Sequence, residues 1–231
     1  MTRFADRTDA GRQLAPRLVA MHLADPVVLA LPRGGVPVAA EIARALHAPL
    51  DLLLVRKIGV PWQPELAVAA VIDGERPDVV VDEKMQQAAG IAQEYIDRQA
   101  ARELEEIERR RRLYLGQRAA VAVHGCTAIV VDDGIATGTS MRAALRALRR
   151  RGPARLLLAV PVAPPDTIAR LRSEVDDIVC LAQPTPFMAI GPYYDDFHQL
   201  ADAEVTALIR ELDAERAALP AAARAATKGA P

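Results

Sequence analysis

The feature that most constrains the fold of this chain is a series of short apolar runs separated by helical segments. The runs lie at residues 26–31, 50–55, 128–131, 155–160 and 177–181. A short continuous apolar run is typical of a strand that is buried on both faces. Segments with helical character follow three of the runs, at residues 36–46, 140–151 and 165–172. This alternation predicts an α/β fold with a parallel sheet flanked by helices.

The composition fits a single soluble domain. The 231 residues are 51% hydrophobic, which is enough for one sizeable core. The formal net charge is −1, so no general positive field is present to attract nucleic acid. Residues 1–9 are polar and no apolar stretch approaches ~18 residues, which indicates a cytoplasmic protein without membrane contact. Cys126 and Cys180 lie in or beside apolar runs, where we expect buried thiols rather than a disulfide or a metal site.

Two segments depart from the alternation. Residues 83–116 are long, charged and free of proline, with a narrow apolar stripe. They predict an inserted helix that is broken near Gly90. Residues 183–200 are irregular and rich in Pro, Tyr and Asp.

Shorter elements fill the remaining stretches. Residues 67–72 and 79–81 are strand candidates, whereas residues 60–65 contain two prolines and predict a loop. Residues 202–219 predict a last helix. We expect the Ala-rich residues 220–231 to be a disordered tail.

The strongest chemical signal is the segment Ile129–Ser140, in which an apolar strand leads into two aspartates and a glycine-containing turn. Backbone N–H groups at the start of a helix, together with hydroxyl side chains, can surround a phosphate. Two adjacent carboxylates can accept hydrogen bonds from vicinal hydroxyls of a sugar. The segment therefore predicts a site for a ribose 5-phosphate group. Its candidate binding residues are Asp132, Asp133, Gly134, Ala136, Thr137, Gly138, Thr139 and Ser140.

The segment Ile129–Ser140 resembles the motif with which type I phosphoribosyltransferases bind 5-phosphoribosyl-1-pyrophosphate (PRPP). The resemblance implies a phosphoribosyltransferase domain over residues 1–219 with a Rossmann-like parallel sheet. It further implies a helical insertion at about residues 83–116 and a small C-terminal hood at about residues 183–200.

The resemblance also assigns roles within the motif. In this family the two acids hold the 2′- and 3′-hydroxyls of the ribose, and these are Asp132 and Asp133 here. The loop that follows, residues 136–140, would hold the 5′-phosphate. In the 6-oxopurine enzymes of the family an acid precedes the Thr-Gly of this loop. Ala136 occupies that position, which argues against hypoxanthine or guanine as the acceptor.

Two further segments resemble loops of the same family. Pro32-Arg33-Gly34-Gly35 resembles the pyrophosphate loop, which implies a cis peptide between Pro32 and Arg33. Arg56-Lys57-Ile58-Gly59 resembles the basic start of the flexible loop, so Arg56 and Lys57 are further candidate binding residues. A loop of this kind would close over the substrate as a lid.

The implied reaction transfers the phosphoribosyl group of PRPP to a nitrogen of a small-molecule acceptor. Arg33 and Lys57 would be the catalytic cations that stabilise the leaving pyrophosphate. Mg²⁺ is the implied cofactor, held mainly through substrate and water, with Asp132 and Asp133 as its candidate side-chain ligands. A homodimer is the implied assembly.

The hood supplies the candidate contacts to the acceptor. Tyr193 is the residue of this segment that we include in the site. The groups considered for stacking on a base are Phe187, Ile190, Tyr193 and Tyr194.

Other functions fit the same residues. A regulatory protein could sense PRPP through these loops without turnover. An enzyme could instead hydrolyse PRPP or transfer its phosphoribosyl group to an amine that is not a base. The basic run Arg109–Arg112 fits a solvated face, a subunit contact or a site for an acidic ligand. RNA binding through this run and Arg149–Arg151 is a weaker alternative.

Overall fold

The computed structural model describes residues 3–73 and 77–218, apart from the side chain of Glu65. The tail expected to be disordered lies outside these residues. No helix within the described ranges combines the length and the apolar character that a membrane crossing requires.

A five-stranded parallel sheet forms the centre of the molecule, with strand order β2-β1-β6-β7-β8. Its strands are β1 (Pro26–Ala30), β2 (Leu50–Leu52), β6 (Thr127–Val131), β7 (Arg155–Val162) and β8 (Asp177–Ala182). The helices around it are α1 (Arg7–Val19), α2 (Gly35–Leu46), α5 (Thr139–Arg150), α6 (Pro165–Leu171) and α7 (Asp202–Ala218). The predicted α/β fold is confirmed.

Both faces of the parallel sheet are covered, which explains the continuous apolar runs. Alternate residues of a strand point to opposite faces. Val28 and Ile129 belong to a core shared with α1, α2 and α7. Val27 and Val130 belong to a second core shared with α5 and α6. The loops beyond the carboxyl ends of the strands therefore remain available for ligands.

A second sheet is antiparallel and consists of β3 (Val55–Val60), β4 (Gln63–Ile72) and β5 (Asp78–Val81). The structure corrects two expectations here, because residues 56–59 lie within a strand and residues 60–65 are mostly strand. Only Pro61 and Trp62 form the turn between β3 and β4. The prolines suggested a loop, but pairing of β3 with β4 gives the backbone its hydrogen-bond partners. Register shifts flank Gly59, where the backbone of Pro64 approaches so closely that a Cβ atom would collide with it.

The charged insertion forms two helices, α3 (Glu83–Ala88) and α4 (Gln93–Leu115). The predicted break is present, since Gly90 has a positive φ of 62°. The apolar stripe of α4 contributes Ile96, Ala100 and Ile107 to the core on one face of the antiparallel sheet. Helix α5 covers the other face. The insertion is thus part of the folded body and extends towards the end of β1 and β6.

Candidate functional site

The loops that follow β1 and β6 meet at the carboxyl edge of the parallel sheet. The N–H of Leu31 donates to the carbonyl of Val131 at 2.9 Å. A Cβ atom at Gly35 would lie 2.7 Å from the Val131 carbonyl oxygen, and one at Gly34 would collide with the carboxylate of Asp133. The two glycines are therefore required by the close approach of the loops. The peptide bond between Pro32 and Arg33 is cis.

A cavity of about 240 Å³ opens where these loops meet the insertion. Pro32 and Asp132 come from the two loops, and Ser140 lies in the first turn of α5. Arg56 enters from β3, and Ile107 and Arg110 enter from α4. The fold thus gathers parts of all three predicted segments around one space.

The two adjacent aspartates occupy different environments. Asp132 is partly exposed and lines the cavity, and its Oδ1 accepts the N–H of Asp133 at 2.9 Å. Burial and the charge of Asp133 raise the pKa of Asp132 well above that of an ordinary aspartate. Asp133 is only 8% exposed and is not among the described residues that line the cavity.

A cation and a phenol hold Asp133. The Nε of Arg7 donates to Asp133 Oδ2 at 2.7 Å, and the hydroxyl of Tyr194 donates to the Asp133 carbonyl at 2.6 Å. Burial raises the pKa of Asp133, and the Arg7 guanidinium opposes this shift. Asp133 is therefore tied to the N-terminal helix and to the hood.

The arginines near the cavity also have partners. Arg56 Nε lies 2.6 Å from Glu103 Oε2, and Arg110 Nε lies 2.7 Å from Glu106 Oε1. Both carboxylates belong to α4. The Nη1 of Arg33 lies 3.7 Å from Oδ1 of Asp202, the first residue of α7.

Lys57 does not share this cavity. Because side chains alternate along a strand, Arg56 faces α4 while Lys57 faces α5. Lys57 lines a separate space of about 50 Å³ together with Asp82, Thr139 and Arg142. Arg56 is therefore the residue of this pair that the fold brings to Asp132.

The predicted phosphate loop has the geometry of a helix N-terminus. Gly138 is the N-cap of α5 with a φ of 75°, and no side chain caps the helix there. Within the described chain, the N–H groups of residues 136–140 donate no hydrogen bond to another protein group. A space of about 120 Å³ beside Thr137, Gly138 and Thr139 also carries Arg142 and Arg170. This combination of free N–H groups and cations suits an anion.

The predicted hood packs against the Asp-Asp-Gly turn. A Cβ atom at Gly134 would lie 2.7 Å from Cγ2 of Ile190. Phe187 and Tyr193 stack with their ring centroids 5.8 Å apart, and Tyr193 remains partly exposed. Tyr194 is buried at 3% exposure, so its ring serves packing rather than ligand contact.

The sequence did not indicate Arg7, and it indicated Arg110 only as part of the basic run Arg109–Arg112, for which a site for an acidic ligand was one of three alternatives. Arg110 lies three residues after Ile107, which belongs to the apolar stripe of α4, and this spacing places both on one face. That signal was available in the sequence. Arg7 lies 126 residues from Asp133 in the chain, and no local pattern marks their contact.

The side chains at the site indicate how a metal ion could be bound. The described residues contain no group of three or more His, Cys, Asp or Glu side chains arranged to hold a metal ion. Among the described residues that line the cavity, Asp132 is the one with a carboxylate. This arrangement fits a divalent cation that takes most of its ligands from a substrate and from water.

Comparison with known proteins agrees with this geometry. A family model described as phosphoribosyl transferase domain matches residues 7–196. Two relatives from Mycobacterium tuberculosis strains CDC 1551 and H37Rv, named as candidate phosphoribosyl transferases, are each 43% identical over 226 residues. The match covers 96% of this chain and 51% of theirs, so the chain spans about half the length of the curated relatives it matches.

A solved structure shares the fold over most of the chain. The crystal structure of TT1426 from Thermus thermophilus is 42% identical in sequence and has a TM-score of 0.79. The match covers 91% of this chain and 99% of that chain. The family model and the two relatives confirm the resemblance noted in the Ile129–Ser140 segment, and the chain belongs to the phosphoribosyl transferase domain family.

Proposed function

We propose that the Asp132 cavity binds PRPP together with Mg²⁺ and that the protein transfers the phosphoribosyl group to a nitrogenous acceptor with release of pyrophosphate. The observation that carries this proposal is the meeting of a carboxylate, a glycine loop and a helix N-terminus at one sheet edge. Each part matches one part of PRPP. The carboxylate suits the ribose hydroxyls, residues 136–140 suit the 5′-phosphate, and Pro32–Gly35 suits the pyrophosphate.

The step itself is a displacement at C1 of the ribose. A lone pair on the acceptor nitrogen forms the new C1–N bond, while the C1–O bond breaks and its electron pair leaves with pyrophosphate. Where the acceptor is an N–H group, its proton is released. Arg33, Arg56 and Arg110 are the cations near the leaving group, and they would stabilise the charge that develops on it.

Mg²⁺ would enter with PRPP, with Asp132 as the side chain that could contact it directly or through water. When bound, it would neutralise charge on the pyrophosphate oxygens. The residues present fit this role, because the cavity offers one carboxylate rather than a complete set of protein ligands.

The acceptor would lie towards the hood. The stacked pair Phe187 and Tyr193 offers an aromatic surface beside the Asp-Asp-Gly turn. Ala136 provides no acid for N7 of a 6-oxopurine. Bases other than hypoxanthine and guanine, and small amines, are therefore the acceptors to test. We propose that the protein acts as a homodimer in the cytoplasm.

The test is pyrophosphate release from PRPP and Mg²⁺ in the presence of a panel of bases and amines. We expect release that depends on one acceptor and is lost in Asp132→Asn protein. Asp97→Asn is the matched control, because Asp97 is an exposed aspartate on α4. PRPP binding without release from any acceptor would indicate a sensor of PRPP. Absence of PRPP binding would overturn the proposal.

A further inference from the structure

The carboxylate of Asp202 joins three parts of the molecule. Asp202 is the first residue of α7, and its Oδ1 accepts the hydroxyl hydrogen of Tyr114 on α4 at 2.5 Å. The same Oδ1 lies 3.7 Å from Nη1 of Arg33 in the loop after β1. Asp202 therefore connects the last helix and the inserted helix to the loop that is proposed to bind pyrophosphate.

Tyr114 fixes the direction of this carboxylate. Its ring is 4% exposed and lies in the core that α4 shares with α7. Burial raises the pKa of Tyr114 to about 12, so the phenol keeps its proton at neutral pH and can donate it. A buried donor thus orients the side chain of Asp202, which is itself 47% exposed.

The backbone around Arg33 is held by hydrogen bonds, whereas its side chain is not buried. The N–H of Gly35 donates to the Leu31 carbonyl at 3.0 Å, and the N–H of Val36 donates to the Arg33 carbonyl at 3.2 Å. The side chain of Arg33 is 36% exposed. An arginine side chain has many rotamers, so a partner is needed to hold its guanidinium in one place.

A second cation lies near the same carboxylate. The charges of Arg110 and Arg33 both act on the Tyr114 hydroxyl that binds Asp202, so both guanidinium groups are close to this pair. Arg110 lines the Asp132 cavity. Like charges repel each other in an empty site, and a nearby anion offsets this repulsion. Asp202 can therefore keep Arg33 on the side of the cavity where Arg110 lies.

We propose that Tyr114 and Asp202 are positioning residues that hold Arg33 for the pyrophosphate group of PRPP. This role rests on the proposed function and deepens it. A guanidinium group carries five N–H donors, so the contact of Nη1 with Asp202 leaves other donors for a pyrophosphate oxygen. Tyr114 belongs to the insertion, and α4 thus acts on the leaving group directly through Arg110 and indirectly through Arg33.

The deciding experiment compares PRPP with ribose 5-phosphate by calorimetry in the presence of Mg²⁺. The two ligands share the sugar and the 5′-phosphate, so the ratio of their affinities reports on the pyrophosphate group. Tyr114→Phe keeps the ring in the core and leaves every charge in place. This variant and Asp202→Asn should each weaken binding of PRPP by about two- to tenfold, which is what ordering one arginine side chain costs. Binding of ribose 5-phosphate should not change.

Arg33→Met protein distinguishes a positioning role from a structural one. In this background, Tyr114→Phe and Asp202→Asn should cause no further loss of PRPP affinity, because the guanidinium that they hold is absent. Asp213→Asn is the matched control, since Asp213 also lies on α7, pairs with Arg118 at 2.6 Å and has a side chain that is 50% exposed. That variant should bind PRPP like the wild type.

Three results would overturn the positioning role. An unchanged or higher affinity for PRPP in Tyr114→Phe or Asp202→Asn protein would show that the pair does not hold Arg33 for the ligand. Equal losses for PRPP and ribose 5-phosphate would indicate a general structural role. A further loss in the Arg33→Met background would show that the pair acts by a route other than Arg33.

Failure of the proposed function gives a different result. If the wild type binds no PRPP in the presence of Mg²⁺, the proposed function is overturned, and the positioning role is overturned with it. If the wild type binds PRPP and the variants of Tyr114 and Asp202 match it for both ligands, the positioning role alone is wrong.

Discussion

Two guanidinium groups that line the Asp132 cavity have carboxylate partners on α4. Arg56 pairs with Glu103, and Arg110 pairs with Glu106. The arginine side chains are each 38% exposed, and ion pairs of this kind contribute little to stability. A phosphate-bearing ligand could therefore replace these carboxylates as the partner of either arginine.

Arg110→Ala should weaken binding of PRPP by about tenfold, because a charge-assisted contact to the pyrophosphate is removed. Binding of ribose 5-phosphate should not change, since this ligand lacks the pyrophosphate. Arg109→Ala is a close control, as Arg109 pairs with the same Glu106 but its side chain is 62% exposed. Equal losses in the two variants, measured by calorimetry, would argue against a ligand contact from Arg110.

The raised pKa of Asp132 predicts a pH dependence of ribose binding. The ionised carboxylate accepts the hydroxyl hydrogens, and protonation removes acceptor capacity. Because the pKa lies above the ordinary value, affinity should begin to fall at a higher pH than for an exposed aspartate.

The measurement is the affinity for ribose 5-phosphate between about pH 8 and pH 5. The phosphate of the ligand titrates in this range, so each value is divided by that of Asp132→Asn protein at the same pH. We expect the advantage of the wild type to shrink as the pH falls. A constant ratio would be inconsistent with a role for the Asp132 charge.

At the scale of elements, α4 is anchored by a buried network. Arg111 contacts Asp73 at 2.8 Å and Asp51 at 3.1 Å, and both aspartates are buried. Asp51 also accepts the N–H of Val121 at 2.8 Å. Burial raises the pKa of Asp73 to about 6 despite the nearby Arg111. This network holds the insertion in place, and it thereby also holds Arg110 at the cavity.

Arg111→Met should lower the free energy of unfolding by about 3–5 kcal/mol at pH 8, because two buried carboxylates lose a partner. Asp73 is protonated in the folded state when the pH falls below about 6, whereas in the unfolded state it is protonated at a lower pH. A protonated Asp73 carries no charge that needs the Arg111 partner. The loss should therefore be smaller at pH 5 than at pH 8.

Urea unfolding at the two pH values provides the measurement. Arg112→Met is the control, since Arg112 follows directly on α4 but its side chain is 75% exposed and pairs with the exposed Glu108. We expect that variant to match the wild type. A similar loss in both variants would mean that the buried network does not anchor α4.

At the scale of the whole molecule, the two sheets contribute to different sides of the Asp132 cavity. The parallel sheet places the candidate binding loops at one edge, and β3 and α4 contribute side chains to the cavity beside them. The turn between β3 and β4 carries Trp62, the single tryptophan of the chain, at 67% exposure. Because residues 56–59 resemble the start of the family's flexible loop, we expect this hairpin to move towards a bound ligand.

Binding of PRPP and Mg²⁺ should shift the fluorescence emission of Trp62 to shorter wavelength, because closure of the hairpin would remove the indole from water. Trp62→Phe protein should lose the signal and retain binding by calorimetry. An unchanged emission spectrum at saturating PRPP would show that the hairpin does not close.

Features that depend on neighbours along the chain could be predicted from the sequence. Buried strands are visible in the sequence as continuous apolar runs. The candidate binding residues of the Ile129–Ser140 segment are close neighbours in the sequence. The break at Gly90 follows from a single residue that tolerates a positive φ. These properties are local, so they identified the parallel sheet, the family and the candidate loop.

Features that depend on partners far away in the sequence could not be predicted in this way and became visible in the folded chain. Residues 56–59 become a strand because β4 pairs with them, and this pairing sends Arg56 and Lys57 to opposite faces. Arg7 reaches Asp133 across 126 residues of chain. Whether a carboxylate faces a ligand or a buried arginine depends on how helices and loops pack, and that information is distributed over the whole chain.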